Sequence, residues 1–299
     1  MALLQIRVTA NIKVASTENS NTMKLHYLPS PAETNTLGTE ELREHFLIND
    51  LFRPGKVNAH YTDLDRMVIG GAEPTGEPLA LPNDRELGTG FFLERREIGI
   101  INIGAPGIVR VAGQAVETHL LGTHDCLYIG LGEREVLFED SGNGQALFYF
   151  VSTPAHAKYP TALVKRADVA GDALGDTSAA NRRRLVKYIH PAGVKSCQLV
   201  MGFTELDPGS VWNTMPPHTH SRRTEIYLYF DLGDQLVVHL MGEPKATRHL
   251  IMRDREVALS PAWSIHAGVG TGNYRFCWAM GGDNQIFSDM EPVPLGQLR

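Results

Sequence analysis

Long apolar runs are missing from this chain of 299 residues. No stretch approaches the roughly 18 consecutive apolar residues that a membrane-spanning helix needs, so we expect no membrane partner. The N-terminal stretch MALLQIRVTANIKV also lacks the continuous apolar core and small-residue cleavage site of a secretion signal. We therefore expect a cytoplasmic protein.

Extended basic segments are missing as well. The formal net charge is -6, and the short basic clusters are residues 182–184 and 222–223. Because clusters this short cannot follow a phosphate backbone, nucleic acid is not an expected partner. Surface ion pairs or contacts with a small anion are the simpler interpretation of these arginines.

Cysteine is rare, with Cys126, Cys197 and Cys277 far apart in the chain. An odd number of isolated cysteines in apolar, strand-like surroundings predicts buried reduced thiols, which is the pattern of a reducing compartment.

What the chain does contain is typical of a folded globular protein, with 42% hydrophobic and 21% charged residues. Residues 1–22 include the polar, aperiodic stretch STENSNT, so we interpret them as an unstructured extension, or as sequence upstream of a start at Met23. TEELREHFL, beginning at Thr39, predicts a helix with Thr39 as its N-cap.

Short β-branched and aromatic segments separated by glycine-rich breaks dominate the remaining sequence. Examples are REIGIINIG, DCLYIG, ALFYFV, EIYLYF, QLVVHLM and EVALS. Many short strands at close spacing predict a mainly β fold of the sandwich or barrel type with a few short helices.

The two halves of the chain resemble each other. RREIGIINIG (95–104) aligns with RRTEIYLYFDLG (222–233), and this alignment pairs Glu97 with Glu225. The repeat predicts two copies of one β-barrel, joined near GDALGDTSAANRRR. We expect the first barrel over residues 23–176 and the second over residues 177–299.

The stretch MPPHTHSRRTEIYLYF (215–230) contains the strongest candidate for a metal site. His218 and His220 are two residues apart and would share one face of an extended strand, and Glu225 begins the next strand. His266, in SPAWSIH, completes a set of four ligands. His239 and His249 are alternative fourth ligands, but both lie within apolar strands, where a hydrogen-bonded core histidine is the commoner state.

The first half lacks this set. Counting back from Glu97, the two histidine positions become Gly90 and Phe92, and the position of His266 becomes Glu135. The first barrel is therefore predicted to hold no metal ion.

The order and spacing of the four ligands resemble the two motifs of the cupin family. This resemblance implies jelly-roll β-barrels in which three histidines and one glutamate hold a divalent ion. Imidazole and carboxylate ligands suit zinc, iron, manganese or nickel, and the spacing alone does not choose among them.

Longer tracts, including TSAANRRRLVKYI, QLVMGFTELDPGSVWNTMPPHTHSRRTEIYLYF and SPAWSIHAGVGTGNYRFCWAMGGDNQIF, resemble the 5-keto-4-deoxyuronate isomerases (4-deoxy-L-threo-5-hexosulose-uronate ketol-isomerases) of pectin breakdown. The resemblance implies a two-cupin enzyme with one Zn²⁺ per chain and a homohexameric assembly. It places the ligands on His218, His220, Glu225 and His266. The implied reaction converts 5-dehydro-4-deoxy-D-glucuronate into 3-deoxy-D-glycero-2,5-hexodiulosonate.

Such a reaction needs a group that moves a proton between adjacent carbons and a cation for the substrate carboxylate. The sequence does not identify the proton-transferring residue, for which Glu243 and Tyr227 are candidates. Guanidinium suits a carboxylate by its bidentate geometry. The candidate arginines are Arg182, Arg183, Arg222, Arg223 and Arg248, with surface or subunit ion pairs as their alternative role.

Other functions fit the same ligand set. A 5-deoxy-glucuronate isomerase of inositol catabolism would act on a similar acid, and an iron-dependent cupin dioxygenase would use a similar metal site. A non-catalytic sensor of sugar acids is a further alternative, although the chain contains no predicted DNA-binding helix pair.

Overall fold

Residues 23–113 and 115–299 are described by the computed structural model. The predicted extension, residues 1–22, lies outside the described residues. Strands of the first part of the chain are β1 (Lys24–His26), β2 (Leu47–Ile48), β3 (Lys56–Thr62), β4 (Val68–Glu73), β5 (Leu79–Ala80), β6 (Arg96–Asn102), β7 (Gly107–Ala112), β8 (Val116–Leu121), β9 (Cys126–Ile129), β10 (Glu135–Asp140), β11 (Phe148–Pro154) and β12 (Ala162–Val164).

The second part of the chain is equally rich in strands. They are β13 (Asp172–Leu174), β14 (Arg183–Ile189), β15 (Val200–Leu206), β16 (Trp212–Asn213), β17 (His218–Thr219), β18 (Arg223–Phe230), β19 (Val237–Glu243), β20 (Ala246–Met252), β21 (Val257–Ser260), β22 (Ala267–Gly270), β23 (Arg275–Gly282) and β24 (Glu291–Pro292). The predicted mainly β fold is confirmed.

Helices are short in the described residues. The α-helices are α1 (Pro31–Thr34) and α2 (Thr39–Phe46), and the 3-10 helices are Leu64–Arg66, Arg85–Leu87, Phe92–Glu94, Arg166–Asp168, Thr177–Ala179 and Leu295–Gln297. The prediction that Thr39 is the N-cap of α2 is wrong, because Gly38 takes that position. The Glu41 carboxylate accepts a hydrogen bond from the Gly38 N–H (2.7 Å), whereas glycine has no side chain that could accept from the first turn of the helix. None of the described helices is long and apolar enough to cross a membrane.

The two halves repeat one sheet topology. In the first, a seven-stranded sheet (β1-β3-β4-β11-β6-β9-β12) faces a four-stranded sheet (β5-β10-β7-β8). In the second, the corresponding sheets are β13-β14-β15-β23-β18-β21-β2 and β16-β22-β19-β20. In this order β6 occupies the place that β18 has in the second half, which agrees with the alignment of Glu97 with Glu225.

Three hydrophobic cores hold this arrangement together. One core fills the first sandwich and one fills the second, while the third lies between the two seven-stranded sheets. Because both faces of β18 are covered, all eight of its residues are buried. Tyr227 and Tyr229 face the interior of the second sandwich, and Ile226 and Leu228 face the first half.

Two short strands that precede the predicted domain boundary, between residues 176 and 177, pair with strands that follow it. Strand β2 pairs with β21, and β13 pairs with β14, so both extend the sheet of the second half. The boundary itself stays a prediction.

Among the cysteines, Cys126 and Cys277 are buried as predicted, whereas the prediction is wrong for Cys197, which is partly exposed. All three are free thiols.

Candidate metal centre

Three histidines and one glutamate converge inside the second sandwich. One ligand atom from each of His218, His220, Glu225 and His266 can be chosen so that all four atoms lie within 4.8 Å of one another. The Nε2 atom of His218 lies 3.0 Å from the Nε2 atoms of both His220 and His266. A Glu225 carboxylate oxygen lies 3.1 Å from Nε2 of His220 and 3.0 Å from Nε2 of His266.

Local backbone structure accounts for this convergence. The period-two alternation of β18 turns Glu225 to the same side as Tyr227, towards the interior of the second sandwich. A turn in which the Arg223 N–H donates to the His220 carbonyl (3.1 Å) returns the chain from the two histidines to β18. A second turn, from Ser264 N–H to the Pro261 carbonyl (2.9 Å), leads to His266.

The outer ring nitrogens of two histidines are held by neighbouring polar atoms. His220 Nδ1 lies 3.1 Å from the Asp289 carbonyl oxygen, and His266 Nδ1 lies 3.2 Å from the Ser260 hydroxyl. His220 Nδ1 also lies 3.1 Å from Nη2 of Arg223, and these contacts fix the ring so that Nε2 faces the other ligands.

Charge and burial shape the titration of the cluster. Burial, together with the neighbouring His266, lowers the pKa of His218 to about 3. Burial alone would raise the pKa of Glu225, but the adjacent His266 and the hydrogen bonds with His220 and His266 outweigh it and hold this pKa well below its usual value. At neutral pH the His218 imidazole is therefore unprotonated and the Glu225 carboxylate is ionised.

This donor set fits a divalent transition metal. Imidazole nitrogen lone pairs and a carboxylate oxygen that face one centre repel one another unless a cation lies among them. Within residues 23–113 and 115–299, this is the one group of three or more such side chains close enough to hold an ion.

The two alternative histidines lie apart from the cluster. His239 is buried, and its Nδ1 lies 2.7 Å from the Tyr229 hydroxyl, so it is the hydrogen-bonded core histidine that was expected. For His249 that expectation is wrong, because its side chain is exposed on β20.

A cavity of about 320 Å³ opens beside the four ligands. Its lining is mostly apolar and aromatic, with a few polar groups at defined positions, which is the usual character of a small-molecule site. The residues that line it are Leu174, Arg183, Leu185, Thr204, Thr214, Met215, Pro216, His218, His220, Glu225, Tyr227, Phe276, Trp278, Met280, Phe287 and Met290.

The two candidate proton-transferring residues differ in location. Tyr227 lines the cavity, and burial together with the negative charge of Glu225 raises the pKa of its phenol well above the usual value. Tyr227 is thus a protonated hydrogen-bond donor at neutral pH. Glu243 lies at the end of β19, where its carboxylate accepts a hydrogen bond from the Asn35 amide (3.3 Å), and it is not part of the cavity lining.

Among the residues that the structure describes, one of the five candidate arginines lines the cavity. This residue is Arg183, whose Nη1 donates to the Asn181 carbonyl (2.8 Å). Arg182 pairs with Asp207 on the surface (2.9 Å). Arg248 donates to the backbone carbonyls of the last residue of α1 and of two residues in the segment that follows it.

The other two arginines hold a segment that passes over the site. We name residues 283–292 the cover segment; its β24 pairs with β17, which carries His218. Arg222 forms ion pairs with Asp289 and with Glu291. Arg223 donates from Nη2 to the Asp289 carbonyl (2.6 Å), the same oxygen that lies beside His220.

Sequence reasoning did not select several cavity residues, among them Thr204, Phe276 and Trp278. The alternation along β23, which places Phe276, Trp278 and Met280 on one face, was the available signal. Without the pairing of β23 to β18, that face could not be assigned to the metal cluster.

A model of the KduI/IolB family matches residues 52–292, which is most of the chain. The chain belongs to the KduI/IolB family.

Relatives in this family cover nearly the whole chain. A 4-deoxy-L-threo-5-hexosulose-uronate ketol-isomerase of Opitutus terrae is 67% identical over 93% of this chain and 100% of its own length. The enzyme of the same name from Bacillus subtilis is 49% identical over the same shares of the two chains.

Solved structures share the architecture at much lower identity. An IolB-like protein of Salmonella typhimurium has a TM-score of 0.67 at 12% identity, over 83% of this chain and 96% of its own. An oxalate decarboxylase of Lactobacillus farciminis has a TM-score of 0.58 at 10% identity, over 83% and 88%. Together with the sheet topology, these similarities support the predicted cupin-type fold, and at such identities they carry no argument about activity.

Proposed function

We propose that this KduI/IolB family member is a metal-dependent ketol-isomerase that converts 5-dehydro-4-deoxy-D-glucuronate into 3-deoxy-D-glycero-2,5-hexodiulosonate in pectin degradation. The observation that carries the proposal is the convergence of His218, His220, Glu225 and His266 beside a cavity of about 320 Å³. The 67% identity to a relative with the corresponding name supports the choice of substrate.

In this proposal, His218, His220, Glu225 and His266 hold one Zn²⁺ per chain. When bound, a divalent cation stabilises the negative charge that develops on a carbonyl oxygen as a neighbouring C–H proton is removed. The carbonyl oxygen of Asp289 and the hydroxyl of Ser260 orient His220 and His266 for this purpose.

The cavity residues would bind and orient the substrate. Arg183 is the cationic group of the lining, so we assign it to the substrate carboxylate. The protonated phenol of Tyr227 lies beside Glu225 and can donate a hydrogen bond to a substrate oxygen. Apolar side chains such as Phe276 and Met280 exclude water and so strengthen these polar contacts.

The direct test is to incubate the purified chain with 5-dehydro-4-deoxy-D-glucuronate, made with pectate lyase and oligogalacturonide lyase, and to follow the product by NMR. We expect turnover that a chelator abolishes and that added Zn²⁺ restores. A parallel reaction with 5-deoxy-glucuronate tests the alternative isomerase. Measurement of oxygen consumption with an electrode tests the dioxygenase, since an isomerase consumes no oxygen. Turnover of 5-deoxy-glucuronate alone would overturn the proposed substrate.

Variants connect the activity to the four side chains. We expect His218→Ala and His266→Ala to contain less than about a tenth of the wild-type zinc, because loss of one ligand leaves an incomplete site. His249→Ala is the matched control, since His249 is exposed on β20 and outside the cluster. Metal content measured by mass spectrometry should be unchanged in that control.

The assembly is part of the same proposal. The family resemblance implies a homohexamer, which for a chain of 33.0 kDa gives six times that mass. Size-exclusion chromatography with light scattering measures this mass directly. A monomer at the protein concentration of the assay would contradict the hexamer.

A further inference from the structure

Trp278 combines burial with an unused hydrogen-bond donor. It lies on β23, is 3% exposed and lines the cavity beside the metal ligands. Its indole Nε1 finds no hydrogen-bond partner among residues 23–113 and 115–299. Burying a donor without a partner is unfavourable and uncommon, so an unpartnered donor on a residue that lines a cavity points to a ligand that accepts a hydrogen bond from it.

The structure around Trp278 fixes the orientation of the indole. Trp278 pairs with Gly202 on one side and with Tyr227 on the other. A Cβ atom at Gly202 would lie 2.5 Å from Cζ2 and 2.9 Å from Cη2 of Trp278, so the missing side chain is what leaves space for the ring. An indole held in this way presents its N–H in one direction, as a specific donor requires.

The order of strands places Trp278 between the two ends of the proposed substrate site. Arg183 lies on β14, Trp278 on β23 and Glu225 on β18, and the sheet order is β14-β15-β23-β18. A six-carbon acid with its carboxylate at Arg183 and its reacting carbons at the metal cluster therefore passes β23. The neighbours of Trp278 on the same face, Phe276 and Met280, are apolar, so the indole N–H is the one side-chain hydrogen-bond donor among these three cavity residues.

We propose that Trp278 is a specificity-determining residue whose indole N–H donates a hydrogen bond to a hydroxyl or carbonyl oxygen in the middle of the uronate substrate. This inference rests on the proposed function, because it takes the substrate to be an extended acid bound between Arg183 and the metal ligands. Phe287 of the cover segment packs on the indole, with ring centroids 5.8 Å apart, and shields this hydrogen bond from water.

Kinetics of Trp278→Phe test the inference, because phenylalanine keeps an aromatic ring and removes the N–H. We expect kcat/KM to fall about tenfold, which corresponds to about 1.4 kcal/mol, with unchanged zinc content. Trp263→Phe is the matched control, since Trp263 packs edge-on against Phe46 and is not part of the cavity lining. A kcat/KM within twofold of that control would overturn the inference.

NMR of the wild-type enzyme gives a second measurement that does not depend on the folding of a variant. The chain contains three tryptophans, Trp212, Trp263 and Trp278, so ¹⁵N-tryptophan labelling gives three indole signals that the phenylalanine variants assign. On saturation with the equilibrated mixture of substrate and product, we expect the Trp278 indole proton to move downfield and the other two to stay in place. An unmoved Trp278 signal in an enzyme that turns over the substrate refutes the role of Trp278 alone. Absence of turnover by the wild-type enzyme refutes the proposed function, and the inference with it.

Discussion

Replacement of Glu97 by glutamine is expected to destabilise the protein strongly, although Glu97 is far from the metal ligands in sequence. Glu97 is fully buried in β6. One carboxylate oxygen accepts hydrogen bonds from the Tyr128 hydroxyl and the Cys197 N–H, each at 2.7 Å. The other accepts from the Thr153 hydroxyl (3.1 Å) and from two backbone N–H groups of residues 198 and 199, each at 2.8 Å.

The expected magnitude follows from these five contacts. A glutamine amide keeps one accepting oxygen, but its NH₂ group takes the place of the oxygen that faces Cys197 and Tyr128. The Tyr128 hydroxyl can rotate and accept, whereas the Cys197 N–H can only donate and so loses its partner. Loss of one hydrogen bond to a charged group, with the remaining bonds weakened, is expected to cost about 2–4 kcal/mol. Glu97→Ala leaves all five donors unsatisfied and is expected to cost more than about 5 kcal/mol.

Urea unfolding followed by circular dichroism measures this effect at one fixed protein concentration. Glu135→Gln is the matched control, because Glu135 is exposed at the start of β10, and it is expected to stay within about 0.5 kcal/mol of the wild type. A Glu97→Gln variant within 1 kcal/mol of the wild type would refute the reasoning.

Activity should report the same change, because the segment that Glu97 holds is linked to the cover segment. The Gln285 amide donates to the Ser196 hydroxyl (2.6 Å) and to the Leu199 carbonyl (3.3 Å). The weaker hold on residues 197–199 in Glu97→Gln is therefore expected to loosen residues 283–292 and to lower turnover at temperatures where the variant is still folded.

Three further predictions follow from the site and from His60, a buried residue of the first half. Arg183→Lys should lower kcat/KM about tenfold or more, chiefly by raising KM, because lysine cannot bind a carboxylate in bidentate fashion. Arg182→Lys changes only a surface ion pair and should leave kcat/KM unchanged. Added Zn²⁺ should stabilise the chelator-treated protein by about 2.7 kcal/mol at a hundred times its Kd, as seen by a higher melting temperature, and His218→Ala should lose this effect. Burial lowers the pKa of His60 from 6.5 to about 4. The contribution of His60 to the free energy of unfolding should therefore be constant above pH 6.5 and should fall as the pH decreases from 6.5 to 4, by about 2 kcal/mol at pH 5. Urea titrations should accordingly show a smaller decrease for His60→Gln than for the wild type.

The fold was largely predictable because strand signals are local. Alternation of apolar and polar residues, β-branched side chains and glycine-rich breaks are all present within a few residues of each strand. The helix over residues 39–46 was predicted for the same reason. Its cap was not, because the N-cap is Gly38, which has no capping side chain and so lacks the signal that the local pattern offers at Thr39.

The exposure of single residues was harder to predict. His239 and His249 lie in similar apolar segments, yet His239 faces the core and His249 faces solvent. A strand with one covered face exposes every second side chain, so the outcome depends on which face the neighbouring sheet covers. That information belongs to the packing of β19 and β20 and not to either segment.

The chain itself determined the alternation that brings Glu225 and Tyr227 to one face, and the two-residue spacing of His218 and His220. Only the tertiary structure decided which distant groups meet them, because β18, β21 and β23 are paired through contacts between residues far apart in sequence. Glu97 and Glu225 occupy aligned positions, but backbone N–H groups surround the first and imidazole rings surround the second. The same carboxylate is therefore a structural acceptor in one half and a candidate metal ligand in the other.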